Sequence, residues 1–167
     1  MRRLWLRHAY ALGYVAVTTD ICLHVDGRRI APAMVDGTRL SFDLPTAGDV
    51  HIVSSVGAPA WFDAGCDDRR RLSVMLTHIV LSSPKEDTDI ALDDPRLSIV
   101  FHAYERDGIA VWRWTDGDAV LPAALLVGAT GLQLDFAVRM PVWRHSDRRA
   151  GVGVEAAMTC VSGHAAA

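Results

Sequence analysis

Glu105, Trp112, Arg113, Trp114, Asp116 and Asp118 carry the side chains best suited to meet a ligand, and they fall in one short stretch. Trp112 and Trp114 stand two positions apart. On a strand they share one face, and Arg113 takes the other. Aromatic rings suit the apolar face of a pyranose, so the pair is a candidate sugar-stacking platform. Strand tryptophans are more often core, however, and core packing is the favoured reading. Arg113 is then the expected surface contact. Glu105 with Asp107, and Asp116 with Asp118, are paired carboxylates of the kind that glycoside hydrolysis uses. Asp-Gly-Asp is also ordinary turn chemistry, and spacing alone assembles no active site. A calcium loop would need about twelve residues with a set pattern of oxygen ligands, which this stretch lacks.

The chain has seven histidines, and His24, His51 and His78 fall within alternating, strand-like segments. Imidazoles that converge from neighbouring strands can ligate a metal, as in cupin-like sandwiches. There is no His-x-His pair. Scattered histidine is therefore the commoner reading. The serine pairs at 54–55 and 82–83 lack a Gly-x-Ser-x-Gly elbow. Cys66 lies beside Arg69 to Arg71, an environment that lowers a thiol pKa, with no base assigned to it. Gly151-Val152-Gly153-Val154 lacks the third glycine of a dinucleotide loop. No catalytic set and no cofactor is implied.

Composition narrows the classes further. The chain has 167 residues, half of them hydrophobic, and a formal net charge of -3. That size predicts one domain with a substantial core. The charge does not favour a nucleic-acid partner, and the basic run Arg69 to Arg71 follows Asp67 and Asp68. Three cysteines, far apart and odd in number, predict reduced thiols rather than a disulfide framework. No apolar run has the length of a membrane span. Met1 to Leu6 starts like a signal peptide, but Arg7 and His8 interrupt it. Residues 1–17 are expected to form an extension with a short amphipathic helix or strand. Cytoplasmic localisation is the default.

The elements that must position these residues are mostly strands. Ile21, Leu23 and Val25 alternate before Asp26-Gly27, a hairpin signal. Arg28 to Val35 leads to a second such turn, Asp36-Gly37. Leu40, Phe42 and Leu44 alternate up to Pro45. These three strands are expected to form a β-meander. Val50 to Ser54 predicts a fourth, and Leu72 to Leu81 one buried on both faces. Short strands are expected at Asp89 to Leu92, Leu97 to His102, Ile109 to Trp114 and Ala119 to Leu121. Leu132 to Val138 alternates as a half-buried strand. Residues 145–167 are small or charged and are expected to form a poorly ordered tail. Nine or ten strands with little helix predict an all-β fold, an antiparallel β-sandwich or jelly roll over residues 18–144.

The motif order adds a resemblance. Leu23-His24-Val25-Asp26-Gly27-Arg28-Arg29 is followed by Phe42-Asp43-Leu44-Pro45, then Asp67 to Leu72, then Asp93-Asp94-Pro95. Phe101-His102 with Glu105 comes next, and then Arg113-Trp114-Thr115-Asp116-Gly117-Asp118 with Leu121-Pro122. As an ordered set, from Thr18 to Val142, this resembles an all-β region that accompanies Hint (hedgehog/intein-like) domains in acetic-acid-type bacteria. It is also similar to modules attached to polysaccharide-related glycosyltransferases. The resemblance implies an all-β accessory region without catalytic residues of its own. The Hint core, with its nucleophilic cysteine and Thr-x-x-His block, is absent from the matched stretch.

The function expected is a non-catalytic accessory module that binds a glycan or a partner protein. The alternative is a small cupin-like metal protein or enzyme using His24, His51 and His78.

Overall fold

The computed structural model describes residues 2–45, 48–99 and 101–146. A helix, Arg2–Ala11, leads into β1 (Tyr14–Val17), β2 (Cys22–Val25), β3 (Arg28–Ile30), β4 (Met34–Asp36), β5 (Arg39–Asp43) and β6 (Val50–Val53). After a loop come β7 (Val74–Ser82), β8 (Asp87–Asp89), β9 (Tyr104–Asp107), β10 (Ala110–Trp114), β11 (Asp118–Leu121), β12 (Gly131–Arg139) and β13 (Val142–His145). The protein is all-β, with every strand pair antiparallel. Among the described residues no helix is long and apolar enough to cross a membrane.

Two sheets make a sandwich. The larger runs β4-β5-β12-β7-β10-β9, with β8 also on β7, and the smaller runs β11-β6-β2-β3. Period-two alternation decides which side chains enter between them. Leu23, Val25, Val50, Ile52, Ala119 and Leu121 come from the smaller sheet. Leu40, Phe42, Leu76, Ile79, Leu132 and Leu134 come from the larger, and all are buried in one core. The outer face of the larger sheet is covered too. There Leu72, Met75, Trp112, Trp114 and Met140 form a second apolar cluster, with Phe62 packed on it. This second cover explains why β7 is apolar on both faces.

The meander expected over residues 21–44 does not form. Arg28 to Val35 divides at Ala31-Pro32-Ala33 into β3 and β4, which lie in different sheets. A proline donates no N–H to a ladder, so the chain leaves one sheet there and joins the other. Each half is a hairpin. Asp26 and Gly27 both take positive φ, 47° and 76°, and join β2 to β3. This is the two-residue turn that matches strand twist.

The strand expected over Leu97 to His102 is also absent. Pro95–Ile99 is a 3₁₀ helix. Asp94 starts it by accepting the N–H of Arg96 at 2.8 Å, and Pro95 supplies a preset φ. The short strand expected at Asp89 to Leu92 lies earlier, at β8. Ile90 and Leu92 turn inward instead and plug the main core.

Residues 1–17 supply the helix and β1, and β1 pairs with β13 from Tyr14↔His145 to Val17↔Val142. Trp143 on β13 stacks on Phe62 with centroids 5.2 Å apart, and Tyr10 meets its edge at 5.3 Å. The two-stranded ribbon is thus fastened to the loop that covers the second cluster. Of the tail, His145 ends β13, and Ser146 donates its N–H to the Gly13 carbonyl at 2.7 Å. The rest of the expected tail, and the Gly151 to Val154 stretch, lie outside the described residues.

Candidate functional site

Trp112 and Trp114 are 3% and 7% exposed, packed in the second cluster rather than offered to solvent. Glu105 stands opposite Trp112 across the β9–β10 ladder. One of its oxygens accepts the Trp112 indole N–H at 3.2 Å, and the other accepts from the Arg70 guanidinium. Arg70 also grips both oxygens of Asp68, which holds that carboxyl below the usual carboxylate range. Glu105 is therefore fully engaged in tying the loop to the sheet.

Arg113 corrects the sequence reading. Its expected place is the surface, yet it is 2% exposed. Its register partner is Leu76, whose side chain enters the main core, so Arg113 points inward as well. Being opposite the tryptophans does not put it in water, because both faces of this sheet are covered. Its guanidinium donates to the carbonyls of His102 at 2.8 Å and Leu92 at 2.7 Å, and to the Ser98 hydroxyl at 3.0 Å. Burial pulls its pKa below the arginine range. It acts as an internal clamp on the 92–102 connection.

Asp116 and Asp118 make a turn. Asp116 accepts the Asp118 N–H at 3.2 Å. Gly117 between them has φ +103°, and a Cβ there would collide with Val56. Asp118 opens β11 of the smaller sheet, with its Oδ1 2.7 Å from His51 Nδ1 on β6. His24 and His51 are direct cross-strand partners on β2 and β6, both on the outer face. His78 belongs to the larger sheet, with Nε2 2.6 Å from Asp89 Oδ2. The structure thus brings two of the three histidines together and leaves the third elsewhere. Among the described residues no group of three or more His, Cys, Asp or Glu is placed to hold a metal ion.

Cys66 is a second correction. It is buried and disulfide-bonded, so it is not a titrating thiol activated by Arg69 to Arg71. Cys22 is the free cysteine among the described residues, and it too is buried. Sequence spacing shows no pairing pattern, because disulfide partners meet through the fold and not through local spacing.

Beside His24 the outer face of the smaller sheet forms one wall of a groove of about 790 Å³. Cys22, His24 and Arg29 line that wall, with Ser54 and Ser55 at the end of β6. The other wall is the ribbon and its exit, including Val17, Asp20, Val142 and Arg144. Val17, Val142 and Arg144 share one ribbon face by register and alternation, opposite Trp143. Hydrogen bonds hold the walls in place. Ser55 donates its N–H to Thr19 Oγ1 at 2.8 Å and its hydroxyl to the Met140 carbonyl at 2.7 Å. The neighbouring Cys22 side chain, with Asp20 close by, keeps Arg29 above the usual arginine range. Ser54 Oγ is buried and has no hydrogen-bond partner among the described residues.

Arg29, Arg144 and the 18–20 segment are not singled out by sequence. The alternation puts Cys22 and His24 on one face, but Arg29 joins them only through the β2–β3 register, and the opposing wall depends on pairing between β1 and β13. Compared with known proteins, the chain matches no family model, no curated protein and no solved structure.

Proposed function

We propose that this chain is a non-catalytic β-sandwich accessory module that binds a glycan in the groove between the smaller sheet and the β1–β13 ribbon. The groove carries the proposal. Its volume of about 790 Å³ falls in the range of roughly 300–1,000 Å³ usual for ligand clefts. Its lining combines hydroxyls, guanidiniums, an imidazole and a carboxylate with the apolar Val17, Val53 and Val142. A sugar offers the same mixture, ring hydroxyls around an apolar face. Trp112, Trp114, Glu105 and Asp116 are committed to internal contacts. The resemblance to Hint-associated and glycosyltransferase-attached regions favours an accessory role. The disulfide at Cys66 suits an oxidising compartment.

The test is a glycan array followed by hydrogen exchange on the best binder. Protection is expected at Val17–Asp20, Ser54–Ser55 and Val142–Arg144. Protection confined to another face would remove the groove from the proposal, and an array without binders would remove the glycan.

A further inference from the structure

The charge lining the groove is out of character with the chain. Overall the formal net charge is -3. Within the groove, the guanidiniums of Arg29 and Arg144 stand against a single carboxylate, Asp20. Elsewhere Arg39, Arg70 and Arg96 each grip a carboxylate of the protein itself. Among the described residues Arg29 and Arg144, like Arg28, Arg106 and Arg139, are in no ion pair, and they alone of these share a groove. They come from opposite walls, Arg29 from β3 and Arg144 from β13, so a ligand between them can be held from both sides. A guanidinium fork matches a carboxylate in geometry as well as charge. His24, beside Arg29 in register, adds a ring N–H donor.

Resting on the groove reading, we propose that the ligand is an acidic saccharide, its carboxylate held between Arg29 and Arg144 with a hydroxyl contact from the exposed Thr18. A neutral sugar would leave Arg144 without an anion and Arg29 with only the nearby Asp20. Asp20 sets a limit on charge, because it disfavours carboxylates crowded at its end of the groove. A bare anion would use the arginines but not the length of the cleft.

The experiment is isothermal titration calorimetry with tetragalacturonate and with its fully methyl-esterified form, on the parent chain and on Arg29→Ala and Arg144→Ala. Both residues are exposed, so both variants should keep the parent melting temperature. Tetragalacturonate is expected to bind at least about tenfold more tightly than the ester, the scale of one charge-assisted contact. Each variant should lose about that factor for the acid and little for the ester. The binding should weaken with added salt. Equal binding of acid and ester, or variants that bind the acid like the parent, would overturn the acidic ligand and leave the groove reading standing. Binding of neither compound would overturn both. Inorganic phosphate displacing the tetramer at equal concentration would show a bare anion site and overturn the saccharide.

Discussion

Trp112 donates its indole N–H to Glu105, its direct cross-strand partner, and Glu105 in turn accepts from Arg70. An aromatic ring, a carboxylate and a guanidinium thus form one chain of contacts from the second apolar cluster out to the covering loop. A buried indole N–H needs an acceptor, and a half-buried carboxylate needs a counter-charge. Each satisfies the next. The residues that looked most like a ligand platform are the fastening of a loop.

Glu105→Ala should therefore destabilise the fold by about 1–3 kcal/mol, the cost of an orphaned buried donor together with a lost charged contact. Glu105→Gln keeps an oxygen for the indole and should lose less. Urea unfolding of both variants measures the difference. Equal losses would assign the effect to the Arg70 contact rather than to Trp112.

Arg113→Ala should cost about 2–4 kcal/mol, because the Leu92 and His102 carbonyls lose their donor and the long aliphatic stem leaves the interior. Lysine cannot reproduce the fork that reaches three acceptors, so Arg113→Lys should recover only part of the loss. Hydrogen exchange should quicken across residues 90–102 in either variant before it does in β12. A melting temperature unchanged by Arg113→Ala would contradict the buried clamp.

The local parts of this fold were legible in the residues. Asp26-Gly27 marked its hairpin because turn geometry depends on only two φ angles. Leu132 and Leu134 marked a core strand because alternation is a property of the strand itself. Arg113 was misplaced because alternation says which residues share a face, not what lies over that face. Pro32 did not stand out as a break between sheets because the flanking turns both looked like hairpins of one meander. The opposition of His24 and His51 and the groove beside them required β2 next to β6 and β1 next to β13. Those pairings are non-local and leave no trace in spacing.

Acid should weaken the fold through three clasped carboxylates, Asp94 beside Arg96 being one of them. Asp135 is held below the usual carboxylate range by the Arg39 guanidinium, and Asp68 likewise by Arg70. A depressed folded-state pKa adds stability above the unfolded value, and that stability is lost as the pH falls through the folded value. The urea midpoint should accordingly hold near neutral pH and fall below about pH 4. Asp135→Asn should be less stable than the parent at pH 7, and the gap should close as the pH drops further. A gap that stays constant with pH would mean that Arg39 and Asp135 contribute through packing and not through charge.

The disulfide at Cys66 fixes the last expectation. Alkylation in denaturant without reductant should label Cys22 and leave the Cys66 peptide unmodified. After reduction both should react. In the folded chain Cys22 should label slowly, because its sulfur is buried beside Arg29. Cys66 belongs to the loop that covers Trp112 and Trp114, so reduction should loosen that cover first. A disulfide stabilises chiefly by restricting the unfolded chain, and its loss should cost about 2–4 kcal/mol. Tryptophan emission should shift toward the red at lower denaturant in the reduced protein than in the oxidised one. Rapid labelling of Cys66 without reductant, or superimposable unfolding curves for the two forms, would remove the disulfide from the account of this loop's stability.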